Sequence, residues 1–378
     1  MSKCIILFAV PDFKGGGAER VFLNIIKNIS RDAFEIHLVV GLLEGEYCQY
    51  LPDDIHIHQV GNVKSISSVF FILKVVWSIR ADVVFSTLGY AVASSLASIF
   101  FPKNTKCIAR FGNTLTPYLQ GFKQENFVKY VYQYLINKSV FYFSDCVIVQ
   151  SEYMKDDAIT LFKLKKKYSN KIIKINNPID IKEIVKDSIV PLGTYSLNID
   201  NSCVNFVSVG RLTFQKGYKN LIKAFSIVNN RYSNTRLIIL GDGDLRKPLE
   251  SLVGNLNLSN VIFLPGFLDN PYRVLSKMNI FVSSSEYEGV SNAMLESLAL
   301  GLPVVATDCP SGVREVISNN ENGWLVKTNG NIVNNLSGTM IYAMKHHMKM
   351  DMKTEKDKVY KQYSVSFIMQ EYNNIFLS

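Results

Sequence analysis

The 378-residue chain has few of the devices that secreted or fibrous proteins rely on. Its six cysteines, Cys4, Cys48, Cys107, Cys146, Cys203 and Cys309, form no CxxC pair, and no histidine cluster accompanies them. That excludes a structural zinc framework. Cys4, Cys107, Cys146 and Cys203 lie in or beside apolar runs, where a free thiol behaves as a small hydrophobe, so a reducing, cytoplasmic compartment is expected. No signal-peptide architecture precedes the apolar run Cys4–Val10. The most apolar stretch, Ser67–Phe101, is broken by Lys74, Arg80 and Asp82, so no transmembrane helix is expected. With 22 Gly and 11 Pro, collagen-like and low-complexity classes are excluded, and 19% charged with 48% hydrophobic residues excludes a disordered chain.

An acidic excess is also missing. There are 41 basic and 32 acidic side chains, a net charge of +9. Residues 103–174 hold 13 basic and 5 acidic side chains, net +8, so the excess is mostly one stretch. Such a patch suits nucleic acid, an anionic membrane or phosphorylated ligands.

What the chain does have is alternation. Short β-branched runs at Cys4–Val10, Glu35–Val40, Val83–Ser86, Lys106–Ala109 and Cys146–Gln150 are separated by helical patterns such as Ala18–Ile29 and Phe122–Phe143. A second series follows at Asn205–Val209, Arg236–Leu240, Val261–Leu264, Ile280–Ser283 and Pro303–Ala306. Near-continuous apolar strands between helices predict parallel sheets covered on both faces, hence two doubly wound α/β domains. Periodicity is lost between Asn177-Pro178 and about Ser202, a stretch containing Pro191 and Gly193. The division is therefore drawn as 1–185 and 186–361, with a final helix in 362–378 expected to return to the first domain.

Three segments can carry chemistry. Gly15-Gly16-Gly17-Ala18-Glu19-Arg20 follows the first strand and opens a helix, whose N-terminus offers amides and partial positive charge to an anion. It is not a dinucleotide fingerprint, since it lacks GxGxxG with a following acidic residue. Val209-Gly210-Arg211-Leu212-Thr213-Phe214-Gln215-Lys216-Gly217 follows the first strand of the second series. Arg211 and Lys216 would project from the carboxyl edge of the sheet, a fork donor and a point charge suited to a diphosphate. In Glu286-Tyr287-Glu288-Gly289-Val290-Ser291-Asn292-Ala293-Met294-Leu295-Glu296, Glu288 sits in a loop and Glu296 in the apolar helix that follows. Ser291 or Asn292 can cap that helix. A carboxylate in so apolar a helix needs a partner, because an unpaired buried charge is costly.

Together these segments resemble the family 4 glycosyltransferases of the GT-B fold. The resemblance is carried by the E-x7-E pair Glu288 and Glu296 within SEYEGVSNAMLESLALGLPVVATD, and by VSVGRLTFQKGYKNLIKAF, GDGDLR, FLPGF and GGGAER. It implies two Rossmann-like domains facing across a cleft and a retaining transfer of sugar from a nucleotide-diphosphate donor. Arg211, Lys216 and Glu288 match the family's catalytic positions: the first two hold the diphosphate, and Glu288 contacts the sugar ring. Glu296 matches the ribose ligand. Backbone groups of Gly289, Val290, Ser291 and Asn292 would meet sugar hydroxyls or phosphate. Phe267 falls where the nucleobase is seated, and Gly16 and Gly17 would close over the phosphates. Many relatives carry a His after the strand matching Lys106–Ala109. Here that loop reads Ala109-Arg110-Phe111-Gly112-Asn113-Thr114, leaving Arg110 and Asn113 as polar candidates to face the donor sugar.

The resemblance implies no cofactor, since the nucleotide sugar is a substrate, and no metal, since cations serve the diphosphate. Asp242-Gly243-Asp244 is accordingly read as a turn rather than a D-x-D metal site. UDP-hexose or UDP-N-acetylhexosamine is the expected donor, GDP-sugar being the other nucleotide considered. A polyprenyl-diphosphate-linked saccharide of bacterial surface polysaccharide is the expected acceptor, in O-antigen or capsule synthesis. The rivals are a UDP-sugar epimerase of the same fold and a non-catalytic nucleotide-sugar-binding subunit. Tyr118, Phe122, Phe127, Tyr130, Tyr132 and Tyr134 interleave with Lys123, Lys129 and Lys138, and Lys163, Lys165, Lys166, Lys167, Lys171 and Lys174 follow. Aromatics with lysines suit the headgroups of an anionic membrane better than nucleic acid, for which no motif is present. The five histidines, His37, His56, His58, His346 and His347, match no position of the pattern and are expected in surface or strand packing.

Overall fold

The computed structural model describes residues 3–14, 16–62, 65–192 and 199–378, so Gly15 and Gly193 lie outside the described residues. The chain forms two compact units, Met1–Pro178 with Val365–Ser378, and Ile179–Ser364.

In the first unit, strands β1 (Cys4–Val10), β2 (Phe34–Val40), β3 (His56–Gln59), β4 (Val83–Thr87), β5 (Lys106–Arg110), β6 (Cys146–Val149) and β7 (Ile172–Lys174) pair in the order β3-β2-β1-β4-β5-β6-β7, every pair parallel. The apolar runs are continuous because both faces are covered. Ile6, Phe8 and Val10 of β1 join one core with Phe22 and Ile25 of the helix Gly17–Asn28 and with Tyr372 and Phe376 of the helix Val365–Leu377. Leu7 and Ala9 join a second core with Ile72, Val76, Tyr90 and Ala93 on the opposite face. Each fully buried residue of this size contributes about 1.5–3 kcal/mol of transfer free energy.

The second unit has β8 (Val204–Val209), β9 (Thr235–Leu240), β10 (Ile262–Gly266), β11 (Ile280–Ser283), β12 (Val304–Thr307) and β13 (Gly323–Val326), ordered β10-β9-β8-β11-β12-β13 and again all parallel. Strand order reverses between β1 and β4 in one sheet and between β8 and β11 in the other. Crevices at the carboxyl ends of such strands are where open parallel sheets take ligands.

The structure moves three expected boundaries. The division falls between Pro178 and Ile179 rather than at 185, because Ile181 and Ile184 of the helix Ile181–Ser188 pack with Tyr272, Val274 and Leu275 of the second unit. The helix Met352–Tyr363 sends Val359 and Tyr363 into that same core. The return to the first unit begins at Val365. Finally, the single helix expected over Phe122–Phe143 is two, Leu115–Glu125 and Phe127–Phe143, divided at Asn126. Asn126 takes extended backbone, and its Oδ1 accepts from the Lys129 amide at 3.0 Å, a side-chain cap that starts the second helix.

Candidate active site

The carboxyl ends of β8 and β11 deliver two of the three catalytic candidates, Lys216 and Glu288, to each other. After β8 the chain passes Gly210 and an exposed Arg211, then makes a single 3₁₀ turn, Phe214–Lys216. Gly217 ends that turn at φ +64°, and a Cβ there would lie 2.1 Å from the Ser284 carbonyl oxygen. The close approach of backbone to backbone requires glycine. It is fastened by the Ser284 hydroxyl, which donates to the Lys216 carbonyl at 2.8 Å. Lys216 thereby points at the loop after β11, and its ammonium donates to Glu288 Oε1 at 2.5 Å. The pair is mostly shielded, with 20% of the Lys216 and 12% of the Glu288 side chain exposed.

Glu288 is held from several sides. The Ser285 hydroxyl donates to Oε1 at 2.8 Å, and Gln215 Nε2 donates to Oε2 at 3.3 Å and to the Tyr287 carbonyl at 3.1 Å. Its amide donates to the Pro310 carbonyl, and the Gly312 amide donates to the Gly289 carbonyl at 2.8 Å. The segment Cys309–Val313 thus braces the loop. Glu288, Gly289, Val290 and Ser291 line a small pocket with Ser283, Met294, Thr307, Cys309, Ser311 and Val313. Burial pushes the Cys309 thiol up to about 11, so it lines the pocket as an uncharged group. Ser291 caps the helix Asn292–Ala299 by accepting from the Met294 amide, while Asn292 is its first residue. Glu296 lies in that helix, 4% exposed and outside the pocket lining. Phe267 follows β10 and is exposed. Asp242 of the D-x-D segment accepts from Arg246 Nε at 3.0 Å, and this pairing holds its carboxyl below the usual range.

The first-unit candidates form a separate arrangement. Gly16 caps and Gly17 opens the helix Gly17–Asn28, and the carboxylate of Glu19 folds back over Gly16 so closely that a Cβ on Gly16 would collide with it. That helix start therefore already carries a buried carboxylate. Arg110, at the end of β5, is only 1% exposed. Its Nη2 donates to Asn177 Oδ1 at 2.6 Å, whereas Nε and Nη1 have no hydrogen-bond partner among the described residues. Burial lowers Arg110 from its ordinary value, while Tyr372 and Glu19 oppose that. The side chain expected to face a sugar thus points into the interior of its unit, and Asn113, three residues later, is half-buried.

Sequence reasoning did not assign roles to Gln215, Ser285, Asn177 or Tyr372. Gln215 sits beside Lys216 and Ser285 within the SSSEYEG run, so both were visible as neighbours but not as partners of Glu288. Asn177 and Tyr372 are 67 and 262 positions from Arg110, a separation that only the folded sheet reveals.

Residues 196–359 match the family model described as glycosyl transferases group 1. An uncharacterized glycosyltransferase of Methanocaldococcus jannaschii is 34% identical over 264 residues, covering 67% of this chain and 62% of its own length. The chain thus spans about three fifths of that relative. The N-acetylgalactosamine-N,N'-diacetylbacillosaminyl-diphospho-undecaprenol 4-alpha-N-acetylgalactosaminyltransferase of Campylobacter jejuni is 29% identical over 322 residues, covering 82% of this chain and 83% of its own. Among solved structures, Anabaena HepE in complex with UDP and glucose superimposes with a TM-score of 0.77 at 18% identity, over 98% of this chain and 99% of that one. The unit that holds Lys216 and Glu288 thus carries the match to the group 1 glycosyl transferases, and the chain as a whole resembles them in its two parallel-sheet units of the GT-B fold.

Proposed function

We propose that the protein transfers a sugar from a nucleotide-diphosphate donor, UDP-hexose or UDP-N-acetylhexosamine, to a polyprenyl-diphosphate-linked saccharide in bacterial polysaccharide biosynthesis. The observation that carries this reading is the braced Lys216–Glu288 pair at the point where strand order reverses. An ammonium has three donors, and Glu288 takes one of them. The others, with the exposed Arg211 five residues earlier, suit a diphosphate whose charge grows as the glycosidic bond breaks. Glu288, fixed by Ser285 and Gln215, is oriented to accept hydrogen bonds from sugar hydroxyls. Glu296 serves the ribose.

The transfer proceeds with retention of the anomeric configuration and without a metal at the diphosphate. Glu296, as a ribose ligand outside the Glu288 pocket, is not the second carboxylate of a double displacement, which needs the two about 5–5.5 Å apart across the bond. The departing phosphate takes the acceptor proton on the same face of the sugar. The name of the Campylobacter relative supports a diphospho-undecaprenol-linked acceptor.

The basic stretch is assigned to an anionic membrane surface. Among the described residues no helix is long and apolar enough to cross a membrane. The helix Phe127–Phe143 leaves Phe127, Val128 and Leu135 more than half exposed, and Lys165, Lys166 and Lys167 are exposed as well. Lys171 has a structural task instead, donating to the Ser144 carbonyl at 2.8 Å just past the end of that helix.

A donor screen with lipid-linked acceptor, read by product mass, tests the reading. Addition of one hexose or N-acetylhexosamine from a UDP-sugar, undiminished by EDTA, is expected. An isomerised nucleotide sugar with no acceptor consumed would establish an epimerase, and donor binding without turnover a binding subunit.

A further inference from the structure

Three of the chain's five histidines meet on one face of the first sheet, beside a glutamate. Glu35 and His37 are two apart on β2, hence on the same face. His56 and His58 occupy the same relation on β3, and His37 is the register partner of His56. The imidazole of His37 lies between the other two rings, with centroids 4.6 Å from His56 and 5.3 Å from His58. Glu35 Oε1 is 3.0 Å from His37 Nε2 and 3.9 Å from His56 Nε2. Among the described residues this is the one cluster whose His, Cys, Asp and Glu ligand atoms all converge within 4.8 Å.

We propose that Glu35, His37 and His56 form a divalent transition-metal site, of the imidazole–carboxylate type that suits Zn2+, on the outer edge of the first sheet. A tetrahedral ion with ligands at 2.0–2.2 Å sets its donor atoms roughly 3.3 Å apart. The Glu35–His37 contact is already near that value, and His56, whose side chain is 63% exposed, needs only a side-chain rotation to close the rest. Three protein ligands leave a fourth position for water. His58 is the positioning residue: its Nε2 lies 3.0 Å from Nδ1 of His37. With the ion on Nε2 of His37, the remaining ring proton sits on Nδ1 and is donated to His58, the outer-shell contact that fixes a ligating imidazole. Thiols contribute nothing here, which separates the site from cysteine-based zinc centres.

The location gives the ion a task. β3 is a four-residue edge strand paired only with β2, and Ile57 on it is exposed. Edge strands of this length are weakly held and offer free pairing groups to other chains. An ion shared between β2 and β3 joins the edge to the sheet.

The test is equilibrium binding of Zn2+ to the chelator-stripped full chain, by competition with a chromophoric chelator, with thermal denaturation in parallel. One Zn2+ per chain and a rise in melting temperature with Zn2+ concentration are expected. Glu35→Gln and His56→Ala alter exposed side chains and keep the fold, and each should weaken binding at least about 10-fold; His58→Ala should weaken it about 10–100-fold through the orientation of His37. Co2+ in place of Zn2+ should give visible bands of a nitrogen–oxygen site without thiolate charge transfer. Wild-type affinity equal to that of the Glu35→Gln/His56→Ala double variant, or a thiolate spectrum lost with the cysteines, would overturn the proposal.

Discussion

The contact between Lys216 and Glu288 permits a prediction that separates its contribution to stability from its contribution to transfer. Lys216→Met keeps most of the aliphatic stem and removes the ammonium. At an effective dielectric constant of about 20, two unit charges 2.5 Å apart attract by roughly 6–7 kcal/mol, before desolvation is subtracted. Breaking a fully buried pair costs about 3–5 kcal/mol, and an exposed pair contributes about 0–1 kcal/mol. With 20% and 12% of the side chains exposed, and with Ser285 and Gln215 still donating to Glu288, the cost falls between those limits, at about 2–3 kcal/mol. For a unit of this size that lowers the melting temperature by about 4–12 °C. Glu288→Gln in the Lys216→Met background removes the stranded carboxylate and should recover at least half of the loss. Transfer should fall about 10²–10³-fold in the single variant, as for loss of one donor to developing charge, and should stay lost in the double variant. Calorimetry and initial rates on the four members of the cycle decide the matter. A single variant that melts within about 1 °C of wild type, or a double variant less stable than the single, would refute the electrostatic account.

Other outcomes follow from equally local features. Gly217→Ala forces a Cβ into the Ser284 carbonyl at a positive φ, so it should destabilise the protein by more than about 1 kcal/mol, read as a lower denaturation midpoint. Burial pushes the thiols of Cys4, Cys146 and Cys309 up to about 11 and that of Cys107 up to about 12, so at pH 8 they stay protonated in the folded chain. Alkylation followed by mass spectrometry should label them far more slowly in buffer than in denaturant, and rapid labelling of Cys107 in buffer would contradict its burial. Replacing Lys165, Lys166 and Lys167 by Glu should weaken binding to anionic vesicles in a sedimentation assay, with neutral vesicles as the control; unchanged binding would remove these lysines from the membrane assignment.

The sequence exposes most of the sheet interiors because parallel strands covered on both faces read as unbroken apolar runs. β1 and β11 occupy the residues that those runs mark. The strands that escape notice are β3, β7 and β13, which lie at sheet edges and read HIHQ, IIK and GWLV. An edge strand has less surface to bury, so its composition carries less of a signature. The same rule explains the histidines: on a strand that did not look like one, His56 and His58 had no visible face to share with Glu35 and His37. Glu288 and Lys216 were legible because each sits in a patterned segment, whereas the partners that aim Glu288 are ordinary Ser and Gln. Arg110 shows the opposite failure. Its loop position suggested exposure, but the helix Val365–Leu377 closes over it from the far end of the chain.

That returning helix has a consequence for how the protein is made. Phe376 sets its ring 6.4 Å from Phe8 and 5.3 Å from Phe85, and Lys106 donates to the Ile375 carbonyl at 2.9 Å. The first unit thus begins before the second in the sequence and is completed only after it. Until residues 365–378 emerge from the ribosome, β1 and β4 present an uncovered aromatic floor, while the second unit, continuous from Ile179 to Ser364, already has its whole sequence available. A nascent chain stalled short of residue 365 should therefore bind chaperones through β1 and β4, whose aromatic face that helix covers.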